Sequence, residues 1–293
     1  MQCQKPCGVN YRHAYHAGNF ADVLKHALLV RLMRALQRKE KGFVYVDTHA
    51  GRGGYDLSAA AVGDTHARDP EWPGGIGRLW DGADLPAEMA EYMGIVRDYN
   101  RYKGSDSGPP RFYPGSPRIA AKVCRPQDRM DLWEKHPEEF AALSADFKGE
   151  RRVSVHEADG YGAPRACLPP TERRALVLID PPFESSGEWD AIGKALAEGL
   201  GRMPAASFAI WYPVTDRART DGFAQLLETL KVPTFAAELV LDPGAPGMSG
   251  CGVVVANPPW KFEGEAGAIV SYLANTLRRG QEAQGSVRWV VPE

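Results

Sequence analysis

L-V-L-I-D-P-P-F-E, residues 176–184, begins with four apolar residues in a row, Leu176 to Ile179. Such a run suits a strand buried on both faces, as parallel sheets require. Asp180 falls where that strand should end. Pro181 and Pro182 then stop the ladder, because neither has an N–H to donate. Phe183 follows at once. A carboxylate, two carbonyls and an aromatic face are thereby held stiffly at the carboxyl edge of a sheet, where open α/β sheets bind their ligands.

Outward from this strand the pattern alternates. Phe43–Val46, Arg129–Glu134 and Arg152–Ala158 read as strands before it, and Ser207–Tyr212 as a strand after it. Ala237–Leu241 and Gly252–Ala256 suit an antiparallel pair. Helical spacing appears at Phe20–Arg38, Pro137–Phe147, Gly187–Gly201 and Gly222–Leu230, and a helix is expected after Ser116, with Ser116 as N-cap and Pro117 as its first residue. Asn19 is the expected N-cap of the first helix, with Asp22 three residues on. These elements imply an α/β fold with a mostly parallel, seven-stranded, doubly wound sheet. Residues 59–114 are rich in Gly, Pro and charge, with helices near Gly77–Trp80 and Ala87–Tyr102 and no clear buried strand. They are expected to form a small helical insertion in a main domain of residues 1–58 and 115–293. Asp180 ends the fourth strand, which should lie beside the first at the switch point, so Asp180 is expected next to Asp47.

The chemistry gathers at the strand ends. A planar base can stack on Phe183 while its exocyclic amino group donates to Asp180 and to the carbonyl of Pro181. Donating both protons draws the nitrogen lone pair out of conjugation, so that it can attack an electrophilic methyl group. D-P-P-F resembles the (D/N/S)-P-P-(Y/F/W) motif of amino-group methyltransferases that use S-adenosylmethionine, although alone it also suits a strand with a Pro-rich turn. After the first strand comes D-T-H-A-G-R-G-G-Y, Asp47 to Tyr55, whose glycines allow close backbone approach. Gly51, Gly53 and Gly54 do not fit the dinucleotide spacing G-x-G-x-x-G, and no strand-ending acid follows about 20 residues later. An S-adenosylmethionine loop fits better than an NAD site. Glu134 is placed to accept two ribose hydroxyls, or is an ordinary exposed Glu. Asp159, before Gly160, is placed to accept from the cofactor's adenine. A second copy of the tetrapeptide, Asn257-Pro258-Pro259-Trp260, ends a strand that should lie away from the crevice. Asp180 is therefore taken as catalytic and N-P-P-W as structural.

Composition excludes other classes. No apolar run approaches the roughly 20 residues that span a bilayer. M-Q-C-Q-K-P-C-G has no apolar signal core, so a cytoplasmic protein without membrane contact is expected. Cys3, Cys7, Cys124, Cys167 and Cys251 are few and scattered, against a disulfide framework and with no second pair at zinc spacing. His13, His16 and His26 lack a carboxylate at ligand spacing, so no metal is expected. Net charge is −2, which does not mark a nucleic-acid binder. Lys25, Arg31, Arg34, Arg38, Lys39 and Lys41 form a basic run that suits either phosphate contact or, more simply, a solvated helix face.

Y-R-H-A-Y-H-A-G-N-F-A-D-V-L-K-H (residues 11–26), D-T-H-A-G-R-G, Y-P-G-S-P, A-D-G, L-I-D-P-P-F-E and N-P-P-W-K together resemble the bacterial 23S ribosomal RNA adenine methyltransferases of the RlmJ family, from about Tyr11 to the closing V-V-P-E. The resemblance implies a class I, Rossmann-like methyltransferase that uses S-adenosylmethionine, releases S-adenosylhomocysteine and methylates the exocyclic amino group of one adenine in 23S rRNA; a monomer is expected. Carried across, Asp180, Pro181, Pro182 and Phe183 form the catalytic motif. Cofactor contacts fall on Lys25, His26, Asp47, His49, Gly51, Ser116, Glu134, Asp159, Gly160 and Asp180, and Tyr11 meets the RNA. Phe183 stands where a Tyr is common, and Arg52 interrupts the glycine loop; the first keeps the stacking face and loses a hydroxyl. Two rivals stay open: a DNA adenine-N6 methyltransferase, and a non-catalytic RNA-binding assembly factor that kept the fold.

Overall fold

The computed structural model describes residues 15–58, 69–82, 84–185, 187–215, 217–244, 247–279 and 281–293. The first half of the chain gives α1 (Phe20–Gln37), β1 (Val44–Asp47), β2 (Gly54–Asp56), α2 (Ile76–Leu79), α3 (Ala87–Tyr102), β3 (Phe112–Pro114), α4 (Ser116–Val123), β4 (Arg129–Glu134) and α5 (Pro137–Asp146). The second gives β5 (Val153–Glu157), α6 (Ala163–Cys167), β6 (Ala175–Ile179), α7 (Glu188–Arg202), β7 (Ser207–Val214), α8 (Arg217–Glu228), β8 (Thr234–Val240), β9 (Gly250–Ala256), α9 (Phe262–Leu277) and β10 (Gln284–Val291).

The main sheet has the order β10-β8-β9-β7-β6-β1-β4-β5. Neighbours from β5 to β7 pair in parallel, and β9 runs antiparallel to both β7 and β8. The sheet has eight strands where seven were expected. The extra one is β10, an edge strand antiparallel to β8. It follows α9, whose two glycines, Gly264 and Gly267, weaken its helical signal. The chain leaves β1 for β4 and β5 on one side and returns to β6 and β7 on the other, which makes the β1–β6 boundary the switch point.

One apolar cluster lies on the α1, α3, α4 and α9 side of the sheet, and a second on the α6, α7 and α8 side. Helix α1 is central to the first, with 14 of its 18 residues buried. Asn19 caps it as expected, accepting from the amides of Ala21 and Asp22 at 2.9 and 3.0 Å. The Asp22 carboxylate reaches back to the amide of Gly18 at 2.9 Å. The basic run on α1 is occupied within the protein: Arg31 and Arg38 both pair with Glu265 at 2.7 Å, and Arg34 with Glu91 at 2.6 Å. These three are interhelical ties to α9 and α3.

Residues 69–114 hold one strand that the sequence did not announce. β3 is three residues long, too short for a period-2 signal, and pairs antiparallel with β2 just beyond the glycine loop. Tyr113 on it is fully buried. Helix α4 starts one residue earlier than expected: Gly115 is its N-cap and Ser116 its first residue. No described helix is long and apolar enough to cross a membrane.

Candidate active site

Asp47 closes β1, opposite Leu132 on β4 and Leu178 on β6. Asp180 follows two residues after Leu178, so the two acids meet at the switch point. Between them and the core comes a third element. Lys25, on buried α1, donates from Nζ to Asp180 Oδ2 at 2.5 Å and to Asp22 Oδ1 at 2.8 Å. Side-chain exposure is 5% for Lys25, 5% for Asp22 and 11% for Asp180. Burial opposes the charge on Lys25, but the two carboxylates outweigh it and hold its pKa above the ordinary lysine value. The lysine is a fixed cation that fills one oxygen of Asp180 and leaves the other for a ligand.

Phe183 is held in the left-handed region, at φ +51°. A bulky residue there is strained, and the surroundings must hold it. Two indoles do so: Trp189 of α7 lies 4.8 Å from the Phe183 ring, and Trp211 of β7 lies 5.6 Å away, edge to face. Pro181 is buried and Pro182 exposed.

The other strand ends carry the expected acids. Glu134 accepts from the Gly51 amide at 2.8 Å and the His136 amide at 2.7 Å, one on each oxygen. That fixes the carboxylate while leaving lone pairs for two hydroxyls. Gly51 has φ +61°. Asp159 accepts from the Tyr161 amide at 3.1 Å and from Lys135 at 3.0 Å. Gly160 presses on the first loop so closely that a Cβ would stand 1.6 Å from the carbonyl oxygen of Thr48. Only glycine permits that approach.

Asp47 is fully buried, and burial pushes its carboxyl up to about 6 despite hydrogen bonds from Tyr45 and Ser116. The Tyr45 hydroxyl donates to Asp47 Oδ2 at 2.7 Å. Ser116 thus orients Asp47 instead of capping α4. Burial lowers His49 to about 4, against the pull of Asp180 and Asp159. At neutral pH the loop therefore presents an anionic Asp47 and a neutral His49. His26, one residue along α1 from Lys25, is buried and shares a 2.8 Å hydrogen bond with Tyr113, whose hydroxyl meets that of Tyr92 at 2.9 Å. It braces α1 against β3 and α3.

Lys25, Asp47, His49, Gly51, Ser116, Glu134, Asp159, Gly160 and Asp180 are thus gathered along one edge of the sheet. Tyr11 lies outside the described residues. Sequence reasoning missed Asp22, Tyr45, Trp189 and Trp211. For Asp22 the signal was present: an Asp and a Lys three apart inside an apolar helix must be paired if that helix is buried.

N-P-P-W sits at the opposite edge. β9 runs antiparallel to β7, and its last residue, Ala256, pairs with Phe208 near the start of that strand. The Asn257 amide donates to the carbonyls of Pro204 at 2.6 Å and Ala206 at 3.0 Å, and its backbone is left-handed at φ +49°. It locks a turn. Among the described residues no group of three or more His, Cys, Asp or Glu side chains converges as a metal site would.

The glycine turn, the three strand-end acids and the neutral imidazole fit a nucleoside cofactor with a cationic sulfur. Comparison with known proteins agrees. A model of the family described as ribosomal RNA large subunit methyltransferase D, RlmJ, matches residues 40–291. Curated proteins named ribosomal RNA large subunit methyltransferase J are similar over 97% of this chain and 100% of their own length. The Haemophilus influenzae protein is 41% identical and the Escherichia coli protein 39%. A crystal structure of a Legionella pneumophila protein is 34% identical, with a TM-score of 0.84, covering 93% of this chain and 98% of that one.

Proposed function

The chain belongs to that family of ribosomal RNA methyltransferases and uses S-adenosylmethionine, and on that premise we propose that the group it methylates is the exocyclic amine of one adenine in 23S rRNA. The observation that carries the proposal is Asp180, clamped by Lys25 at the mouth of D-P-P-F beside a rigid aromatic ring. Such a carboxylate accepts a hydrogen bond from an amino group, and Phe183 offers the base a face. Stacking there is worth about 1–3 kcal/mol, which offsets part of the few kcal/mol needed to unstack the base.

Bound at this edge, the cofactor would rest on Asp47, Gly51, Glu134, Asp159 and Gly160. Its sulfonium supplies the electrophilic methyl group. The protein supplies alignment and charge. Glu134 takes the ribose and Asp159 the adenine, while neutral His49 adds no repulsion toward a cationic sulfur. Asp180 and the Pro181 carbonyl orient the amine lone pair. Asp180 acts by accepting, not by taking the proton away for good. Once the nitrogen bonds to the methyl, its proton is acidic enough to leave to water. An rRNA substrate supports a cytoplasmic location.

The test is transfer of a labelled methyl group to protein-free 23S rRNA and to duplex DNA, followed by nucleoside analysis. Label in one rRNA adenosine is expected. Label in another nucleoside would refute the adenine assignment, and label in DNA would favour a DNA methyltransferase. Cofactor binding with no transfer to any RNA state would favour an assembly factor.

Acid should weaken binding of the cationic cofactor selectively. Between pH 7.5 and 5.5 Asp47, with its carboxyl near 6, loses its charge. Affinity for S-adenosylmethionine should then fall about three- to tenfold relative to neutral S-adenosylhomocysteine, measured by calorimetry across that range. Global stability should not report the same event. Asp47 is raised from 3.8, so its contribution weakens as pH rises from 3.8 to about 6. His49 is depressed from 6.5, so its contribution grows as pH rises from about 4 to 6.5. The two slopes oppose each other over the shared window.

If N-P-P-W is structural, Asn257→Ala should lower stability by about 1–3 kcal/mol while the folded variant keeps kcat within about twofold. A large drop in kcat with an unchanged thermal midpoint would instead give this turn a part in the reaction.

A further inference from the structure

Two loops of the site are joined by a side chain that has no part in the chemistry above. Tyr161 lies in the 3₁₀ turn Gly160–Gly162, directly after the acid that faces the cofactor's adenine. Its ring meets His49 of the first loop edge on, with centroids 5.0 Å apart at 71°. Its hydroxyl donates to Glu188, the first residue of α7. The next residue, Trp189, is one of the two indoles that hold Phe183. Between Phe183 and α7 the described residues Glu184, Ser185 and Gly187 are exposed. The far side of the D-P-P-F loop is therefore fixed where α7 starts, and Tyr161 ties that start to the cofactor loops.

We propose that Tyr161, through Glu188, is a positioning residue that couples occupancy of the cofactor's adenine subsite to the seating of Phe183 and hence to binding of the target base. This rests on the assignment of the edge as a cofactor and adenine site. The adenine approaches Asp159 and Gly160, whose backbone continues into Tyr161. Gly160 cannot move toward the first loop, because it already touches Thr48. Order gained there passes through the tyrosine hydroxyl to Glu188, and Trp189 moves with its neighbour. Thermodynamic reciprocity requires the bound base to tighten the cofactor by the same factor.

The experiment measures the affinity of the whole protein for S-adenosylhomocysteine alone and with saturating protein-free 23S rRNA, in the native enzyme and in Tyr161→Phe. The variant keeps the ring against His49 and removes only the hydroxyl. In the native enzyme RNA should tighten the cofactor product about five- to thirtyfold. In Tyr161→Phe that factor should fall to within about twofold of one and kcat should drop about tenfold, with affinity for S-adenosylhomocysteine alone within about threefold of native. Glu188→Gln keeps an acceptor oxygen and should retain most of the coupling. Glu188→Ala should behave like Tyr161→Phe, and the double variant should be no worse than either single one. Native-like coupling in Tyr161→Phe, a native factor of one, or loss of affinity for S-adenosylhomocysteine alone would each overturn the proposal. Failure of the native protein to bind S-adenosylhomocysteine would overturn the site assignment as well.

Discussion

Asp180→Asn is expected to lower kcat by about two to three orders of magnitude, with the affinity for S-adenosylmethionine within about threefold of native. The substitution preserves shape and removes charge. In the native site Lys25 Nζ fills Asp180 Oδ2, and in the proposed mechanism the second oxygen accepts from the substrate amine. An amide has one acceptor and one donor end. With an ammonium beside it, the amide must turn its oxygen to Lys25, and its NH₂ then faces the amine of the base. Two donors oppose each other where a charge-assisted hydrogen bond stood. The lone pair of the base is no longer drawn out of the ring. Single-turnover transfer to 23S rRNA separates this step from binding and release. A rate within tenfold of native would rule out Asp180 as the acceptor.

Lys25→Met should be the most destabilising of these substitutions, and it should also slow catalysis. The lysine stands between two carboxylates with almost no solvent, and removing it leaves Asp22 and Asp180 facing each other without a cation. Breaking a buried pair on one side costs about 3–5 kcal/mol, which in a chain of this size is roughly 5–10 °C in Tm. The pKa of Lys25 is raised above 10.5, so its contribution is fully present at neutral pH and is lost only as pH rises beyond the ordinary lysine range. Adding Asp22→Asn to Lys25→Met should recover part of the stability, because it removes one of the two stranded charges. It should not recover the rate, because Asp180 stays unclamped. Thermal melts with single-turnover assays on both variants check this. Equal recovery of stability and rate would mean that Lys25 serves only the fold.

The edge that carries the candidate site was legible because its signals are local. A four-residue apolar run with Asp-Pro-Pro behind it marks a strand end wherever it lies, and strand alternation then places Asp180 beside Asp47. The same logic put Asn257 at the far edge, where it forms a locked turn. Glu134 was found at the last residue of its strand, as expected. The contacts that complete the site are not local. Lys25 and Asp180 are 155 positions apart, and nothing in the spacing of a helix says which strand end it will reach. Trp189 and Trp211 carry no sequence mark that sets them apart from other helix and strand aromatics; what gives them a role is Phe183 at positive φ between them. The elements missed outright were those with weak periodicity: β2 and β3 with three residues each, α6 with five, α9 with two glycines, and β10 at an exposed edge.

The burial of α1 has a consequence for biogenesis. This helix is made long before α9, one of its walls, and Arg31 and Arg38 wait for Glu265, 234 and 227 positions on. While the polypeptide is still being synthesised, the helix that carries Lys25 has no finished core to enter, and its apolar surface stays open to chaperones and to other chains. The helix that carries Lys25 cannot be locked against Asp180 before α9 exists. The clamp on Asp180 therefore closes late in synthesis, once α9 has been made, and nascent chains that stop short of α9 should lack it.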